Sequence, residues 1–312
     1  MPPRSGHIDA FTIGEGRGRG LTRGEMRGTA YRSPFYGVRE ALGGPTTLDG
    51  ADLRLARYAP HLWELRLLAE RYAPRLRPGQ FYSHDTALAL VEAPTPDGWQ
   101  PVLHVSAYRP RSGPSTRGVT GHRLQVREPA WRTIRGLPVE HPARAWVQTS
   151  TGWSADDLIA AADALVLGAR RLTTVGALRA EALAMRGHVL DAVLDDVRDG
   201  AESFRETRLR LAFRRAGLPE PELNVDLLGP SGELIARVDQ LYREFGVAAE
   251  YDGRQHAVDA RQFARDADRW DAIRAAGWDH VRILRHHLQP DQSVAVAKIA
   301  AALVRGGWRA PL

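Results

Sequence analysis

Cysteine is absent from the 312 residues, which excludes disulfides, thiolate metal sites, iron–sulfur clusters and every mechanism with a cysteine nucleophile. Any metal must be held by oxygen or imidazole. Lysine is almost absent: among 43 basic residues the one lysine is Lys298, so chemistry that needs a lysine has a single candidate. No long apolar run exists either. The most apolar stretch, Leu158 to Ala169, is about half a membrane span and is interrupted by Asp163. The amino terminus carries Asp9, Glu15 and many glycines where a secretory signal needs an unbroken apolar region. A cytoplasmic protein without membrane association is expected. There is no Gly-x-Ser-x-Gly elbow and no phosphate-binding loop, so neither a serine hydrolase nor a nucleotide cofactor is expected.

What is present describes a globular chain, with 43% hydrophobic and 26% charged residues. Its length suggests about two domains. The formal charge of +6 is unevenly spread. Residues 1–80 hold 13 basic against 8 acidic residues, residues 81–200 hold 13 of each, and residues 201–312 hold 17 against 16. The basic excess is therefore amino-terminal. Gly14 to Gly20 lacks the third glycine of a dinucleotide fingerprint and reads as a flexible basic arm. Across 17–39, Arg17, Arg19, Arg23, Arg27, Arg32 and Arg39 face one acid, Glu25, with three aromatics interleaved. Arginines among aromatics suit a nucleic-acid backbone; a solvated basic surface is the plainer alternative.

Residues 21–39 read as a short helix leading into a strand or wing. Residues 52–73 and 83–91 carry helical apolar patterns. Between 101 and 147 the segments are short, bounded by Pro and Gly, and partly alternating, which indicates strands. Two helical stretches, 154–168 and 174–198, lead to a boundary at Arg198-Asp199-Gly200. In the last third, Ser203 and Glu206 match a capping box, and Gly217 ends the helix that follows. Strands are predicted at 223–228, 234–242 and 246–252, then a helix over 259–276, a strand over 279–284 and a helix over 291–305. The expected regions are 1–80, 81–200 and 201–312, in a mixed α/β (α+β) class.

Glu250 and Asp252 are two apart on a strand and share a face, and Asp239 lies on the preceding strand. Antiparallel pairing of those strands brings the three carboxylates within roughly 5–8 Å. Converging anions need arginines or a hard cation as compensation, and Mg²⁺ takes oxygen ligands while retaining waters for substrate phosphates. Gln255 and His256 follow on a glycine turn, completing a pattern for metal-assisted hydrolysis. Plainer readings stand beside each: Glu206 as a cap residue, Asp252 as a turn residue, Asp239 in an ion pair with an arginine, and His256, His286 and His287 as scaffold.

The run Glu206-Thr207-Arg208-Leu209, Ala236-Arg237-Val238-Asp239, Ala249-Glu250-Tyr251-Asp252-Gly253-Arg254-Gln255-His256, with Phe263, Arg265-Asp266, Arg269 and Gly277-Trp278, resembles the very-short-patch-repair-like endonuclease domain of the PD-(D/E)XK superfamily over about 202–304. The resemblance implies a restriction-endonuclease-like αβββαβ core that cleaves DNA with Mg²⁺ or Mn²⁺. It places Asp239 and Glu250 as metal ligands, and Asp252 where a lysine usually stands; Glu206, Gln255 and His256 complete the catalytic set. By charge, Arg205, Arg208, Arg261, Arg265 and Arg269 offer a set to face DNA. Fragments such as Leu21-Thr22-Arg23, Tyr36-Gly37-Val38 and Gly136-Leu137-Pro138-Val139 resemble abortive-infection antitoxin-like proteins of actinobacteria, which implies a winged-helix-like amino-terminal segment and a toxin or other protein partner. Two functions are therefore expected: a metal-dependent DNA endonuclease, or a non-catalytic DNA-binding regulator or antitoxin that keeps a nuclease-like domain.

Overall fold

The computed structural model describes residues 8–43, 48–125, 131–168, 171–201, 203–229, 231–252 and 260–310, without the side chains of 131–132 and 260–265. The chain forms two units, Met1–Ala161 with Leu172–Asp195, and Ala162–Arg171 with Asp196–Leu312. Among the described residues no helix is long and apolar enough to cross a membrane. The class is mixed α/β.

The first unit opens with β1 (Ala10–Thr12), α1 (Ile13–Gly18), β2 (Tyr31–Arg32) and β3 (Val38–Ala41), whose strands form an antiparallel sheet in the order β1-β3-β2. Gly14–Gly20 is not the flexible arm its composition suggests. Thr12 and Glu15 make a capping box at the start of α1, and Gly16 is buried where a Cβ would stand 2.5 Å from Met26 Sδ and 2.8 Å from Phe11 Cε2. Glycine serves close packing here. Gly16→Ala is expected to cost about 1–2 kcal/mol by overpacking despite alanine's better helix propensity; a thermal midpoint at or above wild type would count against that packing argument. Residues 21–27 form turns and a 3₁₀ segment, Glu25–Arg27, in place of the expected short helix.

The helical stretch expected over 52–73 is two helices, α2 (Gly50–Tyr58) and α3 (Pro60–Tyr72), because a proline fits the first turn of a helix and not its interior. Then come β4 (Gln80–Tyr82), α4 (His84–Leu90), β5 (Leu103–Tyr108), β6 (Val119–Leu124), β7 (Trp131–Ile134) and β8 (Leu137–Glu140), forming a mixed sheet in the order β6-β5-β4-β8-β7. The boundary expected at 80/81 falls inside this unit. α5 (Pro142–Thr149) carries Trp146, fully buried, whose indole N–H donates to Leu158 O at 2.7 Å. α6 (Ala155–Val166) begins in the first unit and ends in the second. α7 (Val175–Arg186) and α8 (Asp191–Asp195) are separated by Gly187 at φ 61°, a left-handed backbone that glycine adopts at little cost.

The second unit continues with α9 (Phe204–Arg215), β9 (Glu222–Leu228), β10 (Leu234–Tyr242), β11 (Val247–Asp252), α10 (Ala260–Ala275), β12 (Asp279–Leu284) and α11 (Ser293–Arg305). Helix, three strands, helix, strand, helix is the order the sequence predicts. The sheet runs β12-β11-β10-β9, with β11 and β12 parallel and the other pairs antiparallel. α9 and α11 cover one face through Leu209, Phe213, Ile299 and Leu303 packed on Val247, Ala249 and Ile283. Ile273 of α10 packs with Leu227, Val238, Leu241 and Ala248 in a second cluster.

Candidate functional site

The short connection between β10 and β11 sets an antiparallel register, with Tyr242 opposite Val247, Leu241 opposite Ala248 and Gln240 opposite Ala249. The next step sets Asp239 against Glu250, and there the ladder gives way. Asp239 Oδ2, in place of a ladder carbonyl, accepts the Tyr251 N–H at 2.7 Å. Val238 and Leu241 both join the cluster around Ile273, although residues three apart on a regular strand point to opposite faces. The alternation of β10 therefore breaks at Asp239–Gln240. On the adjoining β9, Asn224 has φ 48°, a local irregularity of the kind that re-aims a side chain. Its amide donates to Gly200 O at 2.6 Å and to Glu206 Oε2 at 2.8 Å.

A cavity of about 10 Å³, room for roughly one water, is lined by Glu206, Asp239, Gln240, Glu250 and Tyr251 with apolar walls from Leu209, Phe213 and Ile283. Burial, followed by the charges of Glu206 and Glu250, pushes the Asp239 carboxyl up to about 7, against the pull of the Tyr251 N–H and Arg269. Ser203 Oγ caps α9 by accepting the Glu206 N–H at 3.2 Å, while the Glu206 carboxylate turns to Asn224 and the cavity. The cap reading thus accounts for the Glu206 backbone and not for its side chain. Glu250, 6% exposed, is held by Arg269 Nη1 at 2.5 Å and by His280 Nε2 at 2.8 Å.

The carboxylates that gather are Glu206, Asp239 and Glu250. The expected convergence of Asp252 with them is corrected: its Oδ2 accepts from Arg282 Nη2 at 2.5 Å, and that guanidinium lies 3.3 Å from the centre of the Trp270 ring. The register explains this, because Arg282 stands opposite Glu250 on parallel β12 and reaches the next residue of its face. Gln255 and His256 lie outside the described residues, as do the side chains of Arg261 and Arg265 on α10. Arg205 and Arg208 lie over the Phe204 ring at 5.6 and 5.4 Å. Arg269 is engaged by Glu250, a role that its sequence position did not signal; the sequence assigned Arg282 no role and missed His280 altogether, and the strand register reveals both.

The amino-terminal arginines divide in the same way. Arg32 makes two bonds to Glu40 at 2.7 Å, Arg39 donates to Met26 O and Val38 O, and Arg19 pairs with Asp9 at 2.9 Å. Those three have partners within the fold, although the Arg19 and Arg32 side chains are each 49% exposed. Arg17, Arg23 and Arg27 are exposed.

The gathered carboxylates do not each bring an oxygen within 4.8 Å of the others; among the described residues the His/Asp/Glu group that meets that spacing is His84, His104 and His122 of the first unit. A larger cavity of about 370 Å³, also in the first unit, is lined by Glu70, Leu76, Arg77, Gln80, Arg135 and Leu137.

Two uncharacterized proteins of Mycobacterium tuberculosis, from strain CDC 1551 / Oshkosh and strain ATCC 25618 / H37Rv, are each 34% identical to this chain over 127 residues. The match covers 40% of this chain and 46% of each relative, so the chain spans less than half the length of the curated relatives it matches. No family model matches the chain, and no solved structure matches it.

Proposed function

We propose that the second unit is a divalent-cation-dependent DNA endonuclease. The observation that carries this reading is Asp239, a carboxylate lifted to about 7 by burial between two other acids, with its own strand broken to aim it. An arrangement of this kind suits a hard cation, which takes oxygen ligands and relieves the repulsion among them. Asp239 and Glu250 would hold Mg²⁺ or Mn²⁺, which when bound supplies Lewis acidity toward a phosphodiester and activates water. The chain's own residues do the rest. Tyr251 N–H fixes the Asp239 carboxylate, Asn224 holds Glu206 toward the cavity, and Arg269 and His280 set the orientation of Glu250. Arg205 and Arg208 on α9, together with exposed Arg17, Arg23 and Arg27, offer positive charge to a phosphate backbone.

A second reading rests on a specific observation: Glu250 and Asp252 are already paired with Arg269 and Arg282, and Asp252 occupies the position where the resembling family carries lysine. A non-catalytic DNA-binding protein, acting with a protein partner, fits that charge balance. Supercoiled and mismatched DNA incubated with the full chain and Mg²⁺ or Mn²⁺ separates the two. Cleavage is expected, falling at least ~100-fold in Asp239→Ala and in Glu250→Ala, the scale of losing a group that holds the reacting centre. Cleavage that persists in both variants, or DNA binding with no cleavage under either metal, overturns the endonuclease reading.

A further inference from the structure

β5 and β6 run parallel, pairing His104 with Thr120 and Ser106 with His122. Side chains two apart on a strand share a face, so His104, Ser106, Thr120 and His122 line one face while Leu103, Val105 and Ala107 are buried on the other. β4 pairs with β5 and leads directly into α4, whose first residue is His84. His84 takes φ 54°, a left-handed backbone uncommon outside glycine. Gln148 Oε1 accepts the His84 N–H at 3.0 Å, which helps to hold that conformation. The three imidazoles then meet: His84 stacks on His122 with centroids 3.8 Å apart, and His104 lies 5.0 Å from His122 and 5.3 Å from His84.

The nitrogens are arranged as well as the rings. His104 Nδ1 lies 2.9 Å from His122 Nε2, and one ligand nitrogen from each of the three rings falls within 4.8 Å of the others. His84 Nδ1 is 2.9 Å from Ser83 Oγ, which also accepts from Ser106 Oγ at 2.6 Å; an Nδ1–H donated to Ser83 leaves the lone pair on Nε2. Behind His104, Asp85 Oδ1 lies 3.4 Å from Nε2. That oxygen is buried without a hydrogen-bond partner, while Trp99 Nε1 donates to Asp85 Oδ2 at 2.8 Å. A carboxylate behind one imidazole is the arrangement that fixes a metal-binding histidine's tautomer and raises its basicity.

We propose that His84, His104 and His122 bind one first-row divalent transition metal of the Zn²⁺ class, with Asp85 orienting His104 from behind and one coordination position left open. Three imidazoles without an oxygen donor select Zn²⁺, Co²⁺, Ni²⁺ or Cu²⁺ over Mg²⁺ and Ca²⁺. Zn–N bonds of about 2.0–2.1 Å set tetrahedral ligand nitrogens roughly 3.3 Å apart; here His104 Nδ1 and His122 Nε2 are 2.9 Å apart, and no pair in the trio exceeds 4.8 Å. Shifts on the order of an ångström or less complete the site. Three protein ligands and an open position characterise reactive zinc sites more than structural ones, which close with four. Binding needs no net proton release, because the proton on His122 Nε2 moves to Nδ1 as Nε2 takes the metal. The site stands on residues other than those of the endonuclease reading and does not depend on it.

The experiment uses the full chain, stripped with a chelator, titrated with Zn²⁺ and separately with Co²⁺. About one metal per chain is expected by elemental analysis, with Co²⁺ giving the visible absorption of a four-coordinate nitrogen site. His104→Ala and His122→Ala should each weaken binding at least ~10-fold, and Asp85→Asn should weaken it ~10-fold while leaving the stoichiometry unchanged. Should an alanine variant fail to fold by circular dichroism, His122→Gln, which keeps a polar side chain on β6, replaces it with the same expectation. Asp239→Asn is expected to leave the Zn²⁺ stoichiometry unchanged, which separates this site from the carboxylates. No Zn²⁺ or Co²⁺ uptake by the folded wild-type chain overturns the proposal, as does uptake that folded histidine variants retain at wild-type affinity.

Discussion

Asp163→Ala is expected to destabilise the second unit by about 3–5 kcal/mol, the cost of leaving a buried charge without its partner. Arg210 is fully buried, and its Nη2 lies 3.0 Å from Asp163 Oδ2 and donates to Asp196 O at 2.8 Å. Asp163 also accepts from Thr207 Oγ1 at 2.9 Å and from the Arg198 N–H at 2.7 Å. Burial pushes its carboxyl up to about 6, while Arg210, the Arg198 amide and Thr207 draw it back. At neutral pH the carboxylate is therefore ionised and paired. Removing it takes the nearer carboxylate from a buried guanidinium and leaves Glu220 Oε1, 3.4 Å from Nη1, as the remaining counter-charge. By contrast, Asp163→Leu combined with Arg210→Met removes both charges and keeps the volume, and such replacements are often neutral or stabilising. Denaturant or thermal unfolding reads both variants. A loss below about 1 kcal/mol in the single variant sinks the argument and means that Glu220 alone balances the buried guanidinium.

The sequence showed Asp163 only as an interruption in an apolar run, enough to argue against a membrane helix and silent about its purpose. Its partner lies 47 residues further on, beyond any spacing rule. The same division runs through the molecule. Element order in the last third was legible because its signals are local: Gly217, Gly232, Gly246 and Gly277 all take positive φ at the ends of elements, and hydrophobic periods fill the spaces between. Antiparallel pairing of β10 with β11 followed from the shortness of their connection. The break in alternation at Asp239 was not legible, because nothing in the spacing of β10 marks it and the irregular Asn224 lies on the neighbouring strand. Nor were the arginine partners of Glu250 and Asp252, which come from α10 and from a parallel strand that returns only after a helix.

The histidine trio shows the limit most clearly. His84, His104 and His122 are separated by 20 and 18 positions, with no motif spacing. They meet because two strands happen to be parallel neighbours and a helix starts at the end of a third. The basic amino terminus shows the converse. Composition alone exaggerated it, because Arg32 and Arg39 are spent on Glu40 and on backbone carbonyls, and the glycines of 14–20 bring a short helix close to Phe11 and Met26.

In chelator-treated protein, Asp239→Asn is expected to be more stable than wild type by roughly 2–4 kcal/mol near pH 8 and about equal to it near pH 4. The sign follows from the direction of the shift. The Asp239 carboxyl titrates at about 7 in the folded chain against an ordinary value of 3.8. Between those values the native state keeps a proton that the unfolded chain has released, so stability falls as pH rises. The contribution is complete below about 4 and lost through about 7. Asparagine keeps an oxygen to accept the Tyr251 N–H and carries no charge to be repelled by Glu206 and Glu250. Adding Mg²⁺ at pH 8 should then stabilise wild type and leave Asp239→Asn unmoved, because a ligand stabilises only the state that binds it. Thermal midpoints of both proteins from pH 4 to pH 8, with and without Mg²⁺, decide the matter. A stability difference that is flat across that range means the carboxylate is not held neutral by its neighbours. A Mg²⁺ response equal in the two proteins means that the cation does not meet Asp239, and the charge balance then belongs to Arg269 and Arg282.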